Sequence, residues 1–248
     1  MEPKGYVVDL GLMAYGEAWD LQHRLWSMRV EGRLPDLLLL LEHPHVITLG
    51  RRGDLAHLLV SPEVLEALGI PVFHTDRGGD VTYHGPGQLV AYPIFGLRHY
   101  GYRLHPYVSQ LEEVVLAVLR DFGIDGKRDP SHRGVWVGGE KIASVGVAIK
   151  RWVSLHGLAL NYETDLKYFN LIHPCGLEGQ GMTSMAKILK ESVSRQRLVE
   201  RFSFRFKEAF PKEWEEKGPD ELLGTPEGRE TLSLPPTLGR PWTRRESS

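Results

Sequence analysis

Runs of apolar residues punctuated by glycine and proline divide most of the chain into predicted strands and helices. Residues 6–12 predict a first strand, and residues 37–41 form an uninterrupted leucine run bounded by Pro35 and Pro44. A short run that is apolar at every position is typical of a strand buried on both faces. Residues 45–50 are predicted as the hairpin partner of that leucine strand.

Helical spacing appears three times. Over residues 14–33, apolar side chains recur every three or four positions up to Gly32, which is a suitable stop. The same spacing follows Pro106, a residue well tolerated in the first turn of a helix. Ser194 is a suitable N-cap for a last helix that ends near residue 209. These segments predict two long helices in the first half of the chain and one near its end.

Three further strands are predicted in succession over residues 134–137, 142–149 and 153–161, with short turns between them. Strands outnumber helices, and several are joined by hairpins. We therefore expect the α+β class, with a mixed, mostly antiparallel sheet flanked by helices.

Past residue 212 the pattern changes, because prolines, glycines and charged residues replace the apolar periodicity. Such composition cannot bury enough apolar surface to form a core of its own. The sequence predicts one domain over residues 1–212 and a tail rich in proline and charged residues over residues 213–248, loosely held from Pro235 to Ser248.

Composition excludes several classes of function. The 248 residues carry a formal net charge of −2, with 42% hydrophobic and 25% charged residues, so neither nucleic acid nor a membrane surface is an expected partner. A single cysteine excludes an intrachain disulfide and a cysteine-rich zinc site. The eleven histidines include no His-Glu-x-x-His pattern. We expect a cytoplasmic protein with no signal peptide, no membrane span, no metal and no cofactor.

The single cysteine, Cys175, lies in a segment rich in residues that break regular structure. Pro174 precedes it, and three glycines follow within six positions. A thiol on a tight, glycine-supported loop is how a nucleophilic cysteine is presented. A free cysteine is also often a small buried hydrophobe. Its position alone leaves both interpretations open.

A second unusual stretch covers residues 77–88, which include four glycines and one proline. It lacks both the phosphate-loop and the dinucleotide-binding patterns. A glycine-rich hairpin that lets a ligand lie against the backbone fits the stretch better, with Tyr83 and His84 as pocket walls or hydrogen-bond donors. A turn-rich connection without a ligand is the alternative.

Lys141 begins a predicted strand directly after a Gly-Gly turn. It is either a solvated edge residue or, if the strand runs toward Cys175, the cation that lowers the pKa of the thiol. Glycines inside strands, such as Gly146 and Gly157, suggest that something passes close to the backbone. A thin acyl chain is one such object. No Gly-x-Ser-x-Gly pattern supports a serine hydrolase.

Arginines form a stripe at helical spacing on the last predicted helix, at Arg197, Arg201 and Arg205. A stripe of like charges on a helix is usually a solvated face. It could also be a docking surface for an acidic protein.

Four motifs occur in order along the chain: RGGDVTYHGPGQ at 77–88, KIASVG at 141–146, HGLALN at 156–161, and PCG at 174–176 with MTSM at 182–185. Together they resemble the lipoyl(octanoyl) transferase family, over about residues 6–210.

This resemblance implies a fold like the catalytic domain of biotin and lipoate protein ligases. It also implies transfer of octanoyl from octanoyl-acyl carrier protein to a lysine of lipoyl domains, in E2 subunits of 2-oxoacid dehydrogenases and in the glycine-cleavage H protein. By the same resemblance Cys175 is the nucleophile and Lys141 lowers the pKa of its thiol. The implied substrate-binding residues are Arg77, Gly78, Gly79, Asp80, Val81, Thr82, Tyr83, His84, Ser144, Val145, Gly146, Gly157, Leu158 and Ala159.

Other functions remain open on the sequence alone. An ATP-dependent lipoate or biotin protein ligase would share the fold and need no catalytic cysteine. A binding module without catalysis and a thioester hydrolase are further alternatives. His84 competes with Lys141 as the base, because an imidazole with an ordinary pKa of about 6.5 suits proton transfer at neutral pH.

Overall fold

The computed structural model describes residues 4–101, 103–173 and 181–224. Its strands are β1 (Lys4–Leu12), β2 (Asp36–Glu42), β3 (Val46–Leu49), β4 (Val72–His74), β5 (Val81–His84), β6 (Gln88–Ile94), β7 (Lys127–Arg128), β8 (Val135–Val137), β9 (Glu140–Lys150), β10 (Val153–Asn161) and β11 (Glu213–Lys217). Its α-helices are α1 (Tyr15–Val30), α2 (Pro62–Ala67), α3 (Leu104–Asp121), α4 (Met185–Leu189), α5 (Arg195–Ala209) and α6 (Pro219–Gly224).

Most of these strands form one large sheet in the order β11-β1-β2-β6-β10-β9-β8-β7. The strands β11 and β2 run parallel to β1, and every other neighbouring pair is antiparallel. A small sheet has the order β4-β3-β5. The α+β class and the mixed, mostly antiparallel sheet predicted from the sequence are confirmed.

The leucine run lies at the centre of the large sheet and is buried at every position. Because successive side chains of a strand point to opposite faces, Leu38 and Leu40 pack with α3 and α5. Leu37, Leu39 and Leu41 pack with α1 on the other face. The strand therefore joins two apolar layers, as its uninterrupted pattern predicts.

The helices cover both faces of the large sheet and are tied to one another at their ends. Ser194 caps α5, where its Oγ accepts from the backbone N–H of Arg197 at 3.4 Å. Arg201 and Arg205 of the predicted arginine stripe bind Asp121 at the end of α3, with nitrogen–oxygen distances of 2.7 and 2.9 Å. These two arginines hold α5 to α3. Among the described residues, no helix combines the length and apolar character needed to cross a bilayer.

The strand β3 does not pair with β2, so the predicted hairpin is wrong. It lies between β4 and β5 in the small sheet. Both edges of β2 are already occupied, by β1 and β6. The short link after β2 therefore carries the chain out of the large sheet.

The large sheet also extends past residue 212, where the sequence predicts the end of the domain. Residues 213–217 form β11, which pairs with β1 over five residues. The following helix, α6, buries Leu222 in the apolar layer next to α1. The first part of the predicted tail thus completes an edge of the sheet, while residues 225–248 lie outside the described residues.

Candidate functional site

A cavity of about 410 Å³ opens beside the glycine-rich stretch, β9 and β10. Its wall includes Lys141 and most of the predicted substrate-binding residues, namely Arg77, Gly78, Gly79, Val81, Thr82, His84, Ser144, Val145, Gly146, Gly157, Leu158 and Ala159. Asp80 and Tyr83 do not line it. Cys175 lies outside the described residues.

The glycine-rich stretch is fixed to the small sheet by the buried side chain of Arg77. Its guanidinium donates to the backbone oxygen of Thr48 at 2.6 Å, of Asp80 at 2.7 Å and of Gly78 at 3.1 Å. A planar guanidinium with several donors can satisfy many carbonyls at once. Arg77 therefore shapes the cavity wall as well as adding charge to it.

The glycines of the cavity wall are explained by close contacts between backbone segments. A Cβ on Gly146 would lie 2.9 Å from the carbonyl oxygen of Gly78, and one on Gly157 would lie 2.0 Å from that of Ala91. In addition, the N–H of Gly78 donates to the carbonyl of Val147 at 2.9 Å. At these glycines the sequence predicts that something, such as an acyl chain, passes close to the backbone. In the structure the close neighbour is another segment of the protein's own backbone.

The two predicted residues that miss the cavity support its walls from behind. Asp80 accepts from Nδ1 of His57 at 2.8 Å and from the N–H of Val81 at 2.7 Å. Tyr83 is fully buried, and its ring stacks on that of Tyr168 with centroids 5.2 Å apart. Their side chains connect the glycine-rich stretch to neighbouring segments.

His84 is neutral, and its hydrogen bonds define the tautomer. The amide nitrogen of Gln88 donates to Asn161 Oδ1 at 2.9 Å and to the Tyr83 carbonyl at 3.3 Å, so Gln88 Oε1 accepts from His84 Nδ1 at 2.7 Å. Nε2 is therefore unprotonated. Burial, helped by nearby His43, lowers the pKa of His84 to about 3. An imidazole with so low a pKa is a weak proton acceptor at neutral pH.

His43 is a second buried, neutral histidine. Its Nδ1 donates to the carbonyl of Met13 at 2.8 Å, so its Nε2 accepts from the hydroxyl of Tyr92 at 2.8 Å. Burial lowers the pKa of His43 to about 4. Within the ranges that the structure covers, no three His, Cys, Asp or Glu side chains come together as a set of metal ligands.

These two histidines predict that acid destabilises the fold well before most carboxylates titrate. Below a pH of about 6.5, the unfolded chain binds protons that the folded chain does not. Each lowered pKa therefore reduces the free energy of unfolding by up to about 1.4 kcal/mol for every pH unit between about 6.5 and the pKa in the folded chain. Urea unfolding at pH 7.5 and 5.5 measures the loss. The double variant His43→Gln, His84→Gln should show a flatter dependence, and an unchanged slope would contradict the assignment.

Lys141 is buried, although the sequence also allowed a solvated edge residue. Its strand lies between β10 and β8 in the sheet. The ammonium nitrogen lies 5.2 Å from the ring centroid of Trp136, and Cε would lie 2.6 Å from a Cβ on Gly134. The lysine stem thus packs along a channel made by a tryptophan and a glycine, and its charge reaches the cavity wall.

The backbone on each side of the segment 174–180 is held by hydrogen bonds. Before it, the N–H of His173 donates to the carbonyl of His57 at 2.8 Å. After it, the backbone of Lys141 donates to Gly181 and accepts from Thr183, each at 2.9 Å. Met182, between those two residues, lines the cavity. Because Cys175 lies outside the described residues, its predicted contact with Lys141 stays a prediction.

The cavity wall also contains arginines that the motifs do not single out. Arg51 and Arg52 lie just after β3, and Arg133 lies just before β8. No sequence pattern marks them, because exposed arginines in loops are common. Only the fold brings the two loops to one rim.

His156 belongs to a motif but has a role the motif does not reveal. It has a positive φ of 57° inside β10, which is uncommon for a residue other than glycine. Its N–H donates to Gln22 Oε1 at 3.0 Å, and its Nε2 lies 2.6 Å from Asp76 Oδ1. Asp76 immediately precedes the glycine-rich stretch, so this pair ties the stretch to β10 and α1.

Comparison with known proteins decides the family. The family model described as the Lipoyl protein ligase A/B catalytic domain matches residues 14–207 of the chain. The chain belongs to this family. It is 53% identical over 214 residues to an octanoyltransferase of Syntrophobacter fumaroxidans, covering 86% of this chain and 94% of the relative. An octanoyltransferase of Caldicellulosiruptor bescii is 45% identical over 216 residues, covering 86% and 95%.

Solved structures of lipoate protein ligases share the fold at low sequence identity. Lipoate-protein ligase A bound with ATP superposes with a TM-score of 0.76 at 15% identity, covering 92% of each chain. A putative lipoate protein ligase of Thermoplasma acidophilum with bound lipoic acid gives a TM-score of 0.73 at 16% identity, again covering 92% of each. The ligase-like fold implied by the sequence motifs is confirmed.

Proposed function

We propose that this protein is an octanoyltransferase that moves octanoyl from octanoyl-acyl carrier protein, through a thioester on Cys175, to a lysine of lipoyl domains. The acceptors would be E2 subunits of 2-oxoacid dehydrogenases and the glycine-cleavage H protein. The observation that carries the proposal is the 53% identity, over 86% of the chain, to a relative named octanoyltransferase.

The cavity supports an acyl substrate by its size and its lining. Its volume of about 410 Å³ falls within the range of about 300–1,000 Å³ typical of small-molecule sites. Apolar side chains contribute much of the wall, namely Val81, Val108, Val147, Leu158, Phe169 and Met182. An eight-carbon chain would replace water along these surfaces, which favours binding.

The reaction would take place in two balanced steps. The Cys175 thiolate attacks the carbonyl carbon of the donor thioester, a new C–S bond forms, and the donor thiolate leaves and is protonated. The acceptor amine then attacks the enzyme thioester, a C–N bond forms, and the Cys175 thiolate leaves as the amine loses its proton. A thioester replaces a thioester in the first step, so no ATP is required.

Lys141 is the best candidate in the described residues for moving the proton. As an ammonium it would stabilise the thiolate of Cys175, and as a neutral amine it would accept the proton of the incoming lysine. The competing candidate, His84, has a pKa of about 3. That value disfavours His84 as the base, because a base is most effective when its pKa is near the working pH.

Each step also forms an oxyanion that needs hydrogen-bond donors. Within the glycine-rich stretch, the N–H of Gly78 already donates to Val147, and that of Val81 to Asp80. These two amides are therefore unavailable. The remaining candidates are the other amides of the glycine-rich stretch and those around Cys175 and Gly176, and each well-aimed donor contributes about 2.7–4 kcal/mol.

The test is intact-mass spectrometry after mixing the protein with octanoyl-acyl carrier protein, without ATP. We expect one octanoyl adduct, mapped to the peptide that contains Cys175, and its loss when a lipoyl domain is added. The Cys175→Ala variant is the control and should form no adduct.

Other outcomes identify the rival functions. A ligase would modify the acceptor only when ATP and free octanoate are supplied, and the Cys175→Ala variant would keep this activity. Release of octanoate without an acceptor would indicate a thioester hydrolase. Neither adduct nor turnover would indicate a binding module.

A further inference from the structure

The wall of the cavity has one sign of charge. Among the described residues that line it, five are arginine or lysine and none is aspartate or glutamate, although the whole chain has 32 acidic and 30 basic residues. The five are Arg51, Arg52, Arg77, Arg133 and Lys141. A concave site with cations alone attracts an anionic ligand.

Most of these cations already interact with the protein. The guanidinium of Arg77 donates to backbone carbonyls. Arg133 lies 4.0 Å from a carboxylate oxygen of the buried Glu112. Arg51 and Arg52 differ, because both are exposed and neither forms an ion pair with any described residue. They are the two cations of the wall best placed to receive a ligand.

The backbone that carries these two arginines is held rigidly. The N–H of Arg51 donates to the carbonyl of Arg77 at 3.0 Å, and that of Arg52 donates to Gly79 at 3.1 Å. A Cβ on Gly50 would lie 2.5 Å from the carbonyl oxygen of Gly79, so the two segments touch. Only the arginine side chains must be ordered by a ligand, which lowers the entropic cost of binding.

Two carboxylates close to these arginines already accept hydrogen bonds. Asp54, two residues after Arg52, accepts from the N–H of Ala56 at 2.9 Å and does not line the cavity. Asp80 belongs to the adjoining glycine-rich stretch, but its carboxylate binds His57 and the N–H of Val81 and does not line the cavity. Among the described contacts, neither carboxylate forms an ion pair with Arg51 or Arg52.

We propose that Arg51 and Arg52 bind the phosphate of the donor's phosphopantetheine arm. This inference rests on the proposed function, because it concerns the group that delivers the thioester. Guanidinium groups match phosphate oxygens with paired hydrogen bonds. A phosphate held at the rim leaves the uncharged part of the arm to carry the thioester into the cavity. Coenzyme A and an acyl carrier protein both present this arm.

The first test compares S-octanoyl-4′-phosphopantetheine with S-octanoyl-pantetheine, which lacks the phosphate. The value of kcat/KM for the phosphorylated donor, divided by that for the donor without phosphate, should fall about tenfold in Arg51→Gln and in Arg52→Gln. This is the loss expected for one charge-assisted hydrogen bond. Arg151→Gln, an exposed arginine outside the cavity wall, should keep the ratio of the unmodified protein. Equal ratios in all four proteins would overturn the proposal.

Two larger donors distinguish the sources of the arm. Octanoyl-coenzyme A and octanoyl-acyl carrier protein should lose similar factors in the arginine variants. A loss confined to the carrier-protein donor would instead assign the arginines to the surface of that protein. A raised KM for the lipoyl domain, with donor kinetics unchanged, would assign them to the acceptor. Either of these results overturns the assignment to the phosphate.

A binding measurement separates this proposal from the proposed function. Isothermal titration with 4′-phosphopantetheine and with pantetheine requires no turnover. Tighter binding of the phosphorylated compound, lost in Arg51→Gln and weakened by salt, supports the site even if no octanoyl is transferred. Transfer of octanoyl without any preference for the phosphate would leave the function intact and reject the site.

Discussion

Replacing Lys141 with methionine should slow octanoyl transfer by about 10²–10⁴-fold, the usual contribution of a positioned acid or base. Methionine is close to lysine in length and keeps the apolar contacts beside Trp136 and Gly134, so the variant should fold. The change removes the ammonium alone. Steady-state kinetics with octanoyl-acyl carrier protein and a lipoyl domain measures the effect.

The same variant should raise the pKa of the Cys175 thiol, because a neighbouring cation favours the thiolate. The rate of alkylation by iodoacetamide as a function of pH reports that pKa directly. Lys187→Met is a matched control, since Lys187 lies nearby on the exterior and pairs with Glu140 at 2.9 Å. An alkylation profile identical to that of the unmodified protein would exclude Lys141 as the partner of the thiol.

Replacing Asp36 with asparagine should lower the free energy of unfolding by about 3–5 kcal/mol, the cost of breaking a buried ion pair. The Asp36 carboxylate accepts from Arg29 Nε at 2.7 Å and from the N–H of Gly96 at 2.8 Å, and it also binds Lys212. The Lys212 side chain is completely buried, with its ammonium 4.4 Å from the ring centroid of Phe95. Asparagine would leave that ammonium without its counterion.

Urea unfolding at pH 7.5 measures this loss. Glu213→Gln, which removes an exposed partner of Lys4, should cost no more than about 1 kcal/mol. The double variant Asp36→Asn, Lys212→Met should recover part of the loss, because the completely buried ammonium is removed together with its counterion. If Asp36→Asn is as stable as the unmodified protein, the ion pair of Asp36 and Lys212 contributes little to stability.

This pair also predicts the direction of a pH effect. Burial alone raises the pKa of Asp36, but the charges of Lys212 and Arg29 outweigh it and hold the pKa below its usual value. A lowered carboxylate pKa stabilises the fold above the unfolded pKa of about 3.9, and this stability is lost as the pH falls through the folded pKa. Asp36→Asn should therefore lose less stability than the unmodified protein when the pH is lowered from 5 to 2.

Local patterns predict the elements of this fold well and their partners less well. The leucine strand is recognisable because every position is apolar, and the structure buries every one of them. The pairing of β3 is not recognisable, because pairing depends on which edges remain open after β1 and β6 have bound β2. The strand β11 escapes the pattern for a related reason. As an edge strand of charged residues, Glu213–Lys217 has little apolar alternation to reveal it.

In the candidate site, too, local patterns reveal individual residues better than they reveal which residues come together. Its motifs are continuous in sequence, so the glycine-rich stretch and Lys141 can be found by inspection. Arg51 and Arg133 are far apart in the chain, and they join one rim only after the sheets are assembled. The low pKa of His84 likewise follows from burial, which no motif encodes.

The position of β11 has a consequence for how the chain is made. It pairs with β1 although about 200 residues separate the two strands, which are the first and the last in the described part of the chain. At about 5–20 residues per second, β11 leaves the ribosome tens of seconds after β1. Throughout that interval β1 has an open edge, which is a template for pairing with other chains. During translation, protection of the growing chain therefore depends on whatever covers this edge until β11 arrives.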